Sequence, residues 1–278
     1  MIGIVLIAVG ELFSQISTSI GKYEVAHKKE SLYAMGFLHS VWTALFLLLM
    51  VTFWRGEFVF SLASLPTFIA RALLEVTLVF VALHAVLKAD RSTFSFLRVL
   101  TIPFLLIVDV ALGYNISTNQ MLGISAIVIA LLFLFMNHGL SRKGKLLSIA
   151  SALLAVGTIS LYKYNITNFN SVEGEQIVMH TIILLTIIFT AWIKGHENVF
   201  KTLAQKVFIF QSLTAGLASV FMSFAYLFAP ASIITTTKRS LEILYSMIFG
   251  RSYFHEKHFG IKISALVLTV FGIWMLFA

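Results

Sequence analysis

Cysteine is missing from all 278 residues, which excludes disulfides, thiolate metal sites and thiol nucleophiles. Charge is nearly as scarce. Asp, Glu, Lys and Arg make up 12% of the chain, against roughly 25% in a soluble domain, while 59% of residues are hydrophobic. Such a chain belongs in a bilayer, and no soluble domain fits beside its apolar segments. Glycine-rich phosphate loops, nucleophile–base arrangements and carboxylate-rich metal clusters are also absent from the sequence. An enzyme is therefore not expected, nor a metal or organic cofactor. The net charge of +8 invites a nucleic-acid partner. The basic residues, however, cluster in short connections between apolar runs, as in membrane proteins with a cytoplasmic excess of Lys and Arg. The partners expected are lipid and a small solute, and a homodimer is left open.

What is present is a succession of apolar runs. A span needs ~20 residues, and the hydropathy and breakers place spans at 2–21, 32–54, 66–87, 91–111, 119–137, 146–164, 176–193, 206–228, 231–250 and 259–277. The first lacks a basic leader and a small-residue cleavage site, so it reads as a retained helix. Pro230 falls in the first turn of the ninth, where a missing N–H costs nothing. The expected fold is an all-α, polytopic membrane protein of ten transmembrane helices.

The two halves match each other. Residues 68–92 lie over 208–232 without a gap, 140 positions apart, and seven of the 25 pairs are identical, among them Ala85/Ala225 and Ser92/Ser232. Ala8-Val9-Gly10 recurs as Ala155-Val156-Gly157. Two five-helix repeats, 1–140 and 141–278, would have opposite orientations in the bilayer, the inverted-repeat construction of secondary transporters. Charge agrees with that. Fourteen basic residues fall in the connections after spans one, three, five, seven and nine, and Arg55 alone falls on the other side. The basic connections follow odd-numbered spans throughout, so homologous connections in the two halves carry opposite charge. This bias puts both termini outside the cytoplasm.

Eight ionisable groups stand out inside predicted spans: Arg71, Arg98, Lys163, Lys238, Arg239, Glu11, Glu75 and Glu242. Each costs roughly 2.5–3.5 kcal/mol at a helix centre, so they must face an interior. Arg71 with Glu75, and Lys238 with Glu242, stand four apart on one helix face and read as pairs. The remainder is a surplus of positive charge, suited to an anion. At the repeat offset Arg98 falls over Lys238, which brings two cations toward the pseudo-twofold axis, and Gln211 falls over Arg71. Pro103 lies beyond Arg98 and frees a backbone carbonyl there. Glu11 and Gln15 share a polar face of span one, where Glu11 is a candidate proton carrier. Tyr162 is a candidate to stack on a solute ring. His39, His84 and His180 have no metal-ligand spacing and read as packing residues.

The segments AVGELFSQISTSIGK, RVLTIPFLLIVDVALG and TTTKRSLEILYSMIFGRSYFHEKHFGI resemble the drug/metabolite transporter superfamily of ten-helix carriers with EamA-type domains. The Lys-Arg pair in span nine is similar to that of the triose-phosphate and sugar-phosphate translocators. The resemblance implies alternating access and an anion clamp of Lys238, Arg239 and Lys163. It also implies cytoplasmic termini, against the charge bias. Together these expectations describe a secondary transporter of a phosphate- or carboxylate-bearing metabolite, in the bacterial inner (plasma) membrane. Lys238, Arg239, Arg98, Lys163, Gln15, Gln211 and Tyr162 would bind the solute, and Glu11, Glu242, Glu75 and Arg71 would couple or orient. The alternative is a proton-coupled exporter of cationic or hydrophobic compounds, or of amino-acid-like metabolites, centred on Glu11.

Overall fold

A computed structural model describes residues 2–55, 57–111, 113, 117–137, 140, 142–254 and 259–277. Lys257, counted among the basic connections, lies outside them. The described chain is all-helical, and no strand occurs among the described residues. The helices are α1 (Ile2–Ala26), α2 (Leu32–Met50), α3 (Leu65–Lys88), α4 (Arg91–Arg98), α5 (Thr101–Ala111), α6 (Thr118–Met136), α7 (Lys145–Asn168), α8 (Val172–Thr190), α9 (Lys206–Ala225), α10 (Ala231–Phe254) and α11 (Phe259–Phe277). Seven helical segments among the described residues are long and apolar enough to cross a membrane: α1, α2, α3, α4 joined to α5, α7, α8 and α9.

Local chemistry sets the boundaries. Ser31 caps α2 by accepting from the Ala34 N–H at 2.9 Å, and Ser171 caps α8 by accepting from Gly174 at 3.0 Å. Past their C-terminal ends both α2 and α8 widen into a π-helical turn, Val51–Arg55 and Ala191–Gly195. Each is then followed by a 3₁₀ turn, Leu62–Ser64 and Val199–Ala204. The fourth apolar run is two helices rather than one. Pro103 cannot donate to the Val99 carbonyl, and that carbonyl instead accepts from Ile102 in a tighter turn at 2.9 Å. The helix therefore breaks between Arg98 and Thr101. Pro230 sits one residue before α10, where its carbonyl accepts from Ile234.

Burial is inverted relative to a soluble protein. Leu73, Ile107 and Phe189 are each more than 60% exposed, whereas Glu11, Arg71, Arg239 and Glu242 are at most 3% exposed. Lipid accounts for the apolar rim, since it solvates hydrocarbon but not charge. The interior is assembled from α1 packed on α9 and α10, α3 on α7, α2 on α8 and α9, α4 on α7 and α10, and α6 on α11. Several residues assigned to connections by charge lie inside helices, among them Lys22 in α1, Arg91 in the first turn of α4 and Lys262 in α11, the last two at most 3% exposed.

Candidate functional site

The bundle interior holds a cavity of about 350 Å³. Its wall takes side chains from α1, α2, α3, α4, α7, α8, α9 and α10. Of the site residues predicted from sequence, Glu11, Gln15, Arg71, Glu75, Arg98, Tyr162, Lys238, Arg239 and Glu242 all line this one space. Lys163 and Gln211 do not. Lys163 sits a turn beyond the lining residue Ile159, and its ammonium donates to the Tyr226 carbonyl at 2.7 Å. Gln211 donates to Glu30 at 3.0 Å, near the end of the bundle that carries the α1–α2 connection.

The two same-helix pairs inferred from spacing are not the pairs that form. Arg71 donates to Glu175 Oε1 at 2.7 Å and to Gln176 at 3.3 Å, not to Glu75. Glu242 accepts from Arg239 at 2.5 Å and faces Arg98 at 3.8 Å, rather than orienting Lys238. Arg239 also donates from Nε to Thr101 Oγ1 at 3.2 Å, a residue that the break before α5 brings into reach. Arg239 is thus a buried brace. Lys238 and Glu75, in contrast, line the cavity and form no hydrogen bond or ion pair among the described residues. The electrostatic neighbours of Lys238 are Glu11, Arg239, Arg98 and Glu242.

On α1, Gln15 donates to Glu11 Oε1 at 2.6 Å and accepts from Arg91, which sequence reading had assigned to a connection. Glu11 Oε2 has no protein partner, and neither do Arg98 Nε, Arg71 Nε, His39 Nε2 and His180 Nδ1. All five belong to residues lining the cavity. Buried polar atoms are rarely left unsatisfied, and their convergence on one void marks it as a place for water or a polar solute. Tyr162 lines the same space, with its ring 4.6 Å from the Arg71 guanidinium and its hydroxyl donating to the Ser223 carbonyl at 3.0 Å.

One end of the cavity is walled by a polar lattice that sequence reading missed. Glu175 accepts from Asn165 at 2.9 Å and from Asn170 at 2.5 Å as well as from Arg71. Asn170 also donates to Ser64 at 3.0 Å, and Gln176 donates to Ser223 at 3.0 Å. The lattice ties the α7–α8 connection to the start of α3. The backbone joins in, because Ser171 N–H donates to the Val59 carbonyl at 3.0 Å. Glu175 lay just ahead of the predicted start of span seven, so its charge was not counted within the membrane. Asp109 on α5 was also missed, and it accepts from the Ser232 N–H at 3.1 Å.

The opposite end carries contacts of its own. Ser31 donates to Glu197, Lys22 donates to the Ala89 carbonyl, and Gln211 donates to Glu30. Glu30 lies between α1 and α2, and burial pushes its carboxyl up to about 8. No group of His, Asp and Glu able to hold a metal occurs among the described residues. Compared with known proteins, the chain matches no family model, and no curated protein is similar to it.

Proposed function

We propose that the chain is a secondary transporter that carries a small organic anion by alternating access between two inverted five-helix repeats, 1–140 and 141–278. The observation that carries this reading is the presence of Lys238 and Arg98, equivalent positions of the two repeats, on the wall of a single cavity. Lys238 offers an ammonium with no acceptor among the described residues, and Arg98 a guanidinium with an unused Nε–H. Both are donors that suit carboxylate or phosphate oxygens.

The packing supports the repeat. If α1, α2, α3, α4 with α5, and α6 correspond to α7, α8, α9, α10 and α11, then α1 on α9 becomes α7 on α3, and α1 on α10 becomes α7 on α4 and α5. All of these contacts occur. The pairs α2 on α8, α4 on α10 and α6 on α11 map onto themselves. The capping serines Ser31 and Ser171 stand 140 apart, like the sequence match, and the π-helical and 3₁₀ turns recur in the same order after each. On this reading all ten apolar segments span the bilayer of a bacterial inner membrane. The basic connections face the cytoplasm and the termini lie outside.

The test is counterflow in proteoliposomes with radiolabelled organic acids and sugar phosphates. Lys238→Ala should reduce uptake of the accepted solute at least about tenfold, the loss of one charged hydrogen bond, with an unchanged gel-filtration profile. Undiminished uptake rejects the anion site. A second reading is favoured by the partnerless Glu11 Oε2 at a residue only 1% exposed: proton-coupled export of cationic compounds. In that case Glu11→Gln stops transport and Lys238→Ala spares it.

A further inference from the structure

Among the described residues, the two cavity-lining charges without a hydrogen bond or ion pair are of opposite sign and come from different halves of the chain: Lys238 on α10 and Glu75 on α3. The other charges divide the same way. Arg98, Arg239, Glu242 and Glu11 gather around Lys238, three cations in all against two carboxylates. On the other wall, Arg71 is turned to Glu175, which leaves Glu75 as an open carboxylate, with Tyr226 as an electrostatic neighbour. The cavity is therefore dipolar, cationic along α4 and α10 and acidic at α3.

A solute that is purely anionic satisfies Lys238 but is repelled by Glu75. A pure cation has the reverse difficulty. Either would also bring a net charge into a low-dielectric interior, where an uncompensated ion is costly. Resting on the anion reading above, we infer that the solute is amphoteric, with its anionic group held by Lys238 and Arg98 and an ammonium group held by Glu75. Such a molecule compensates both open charges and adds none. It can then be enclosed when both ends of the bundle close.

The experiment is thermal unfolding of the full chain, purified in detergent, with matched ligands at equal millimolar concentration. Glycine, 4-aminobutanoate and 6-aminohexanoate are compared with acetate, butanoate and hexanoate, and phosphoethanolamine with ethyl phosphate. Stabilisation follows binding to the folded form. At least one amino compound should raise the unfolding temperature clearly above its matched anion, with an apparent affinity at least about tenfold higher. In Glu75→Gln the paired ligands should become equal, with the response to the anion retained. In Lys238→Gln both responses should vanish. Equal stabilisation by the members of every pair in the wild-type protein overturns the amphoteric solute and leaves the anion reading standing. So does a preference that survives in Glu75→Gln. No response to any of the compounds counts against both readings.

Discussion

Arg239 and Lys238 are neighbours in sequence and differ in every physical respect that matters. Arg239 is 1% exposed and braced, with Nη1 on Glu242 and Nε on Thr101. Its charge cannot be transferred to a solute without breaking the brace between α10 and α5. Lys238 has nothing to break. Removing one partner of a buried ion pair costs about 3–5 kcal/mol, because the remaining charge keeps its desolvation penalty. Glu242→Gln, which leaves Arg239 and Arg98 uncompensated, should therefore lower the unfolding temperature in detergent by many degrees. Lys238→Ala should leave it close to wild type. A Glu242→Gln protein that unfolds at the wild-type temperature would mean that Arg239 is solvated by water rather than held by the carboxylate.

At the scale of elements, the break between α4 and α5 decides where Arg98 points. Arg98 ends α4, and its carbonyl accepts from the Thr101 hydroxyl at 2.8 Å. Replacing Pro103 with Ala supplies the missing N–H for the Val99 carbonyl and lets α4 and α5 fuse into one helix. Thr101 would then leave the Arg239 Nε, and Arg98 would rotate away from Glu242. Pro103→Ala should retain or gain stability, since a proline inside a helix costs ~3 kcal/mol, yet lose most of its uptake in proteoliposomes. Uptake at the wild-type rate would show that the break is not needed to shape the site. The freed carbonyl was legible in the sequence because the proline rule acts within a single helix, whereas the full break of the run 91–111 into two helices was not. The apolar helices themselves were legible too, since lipid demands an uninterrupted apolar run. The ion pairs were not. Arg71 and Glu75 have the spacing of a helical pair, but the partner actually used, Glu175, is brought close only by the packing of α3 against α7 and α8. Arg91 and Lys262 looked like connection charges for the same reason. Hydropathy cannot distinguish a helix end that is buried from one that reaches water. Lys163 has the right charge on the right helix, but its ammonium reaches a backbone carbonyl instead of the cavity.

For the molecule as a whole, the transporter reading requires the lattice of Arg71, Glu175, Asn170 and Ser64 to come apart in the state that opens this end. In the present arrangement these groups are buried, at most 6% exposed, and join the α2–α3 and α7–α8 connections from opposite halves of the chain. The absence of native cysteine makes this directly testable, since any introduced thiol is the sole reactive one. Val59 and Ser171 are suited to it: the Val59 N–H donates to the Ser171 hydroxyl at 3.1 Å, and Val59 is 53% exposed and open to reagent. Val59→Cys with Ser171→Cys, joined by a short reducible thiosulfonate cross-linker, should hold the end shut and reduce flux to background. Reductant should restore it, and each single variant treated in the same way should transport normally. Loss of the Ser171 cap costs about 1 kcal/mol, which an active, untreated double variant shows to be tolerable. If fully cross-linked protein still carries solute, this end does not open during transport, and the two repeats do not rock about the cavity between them.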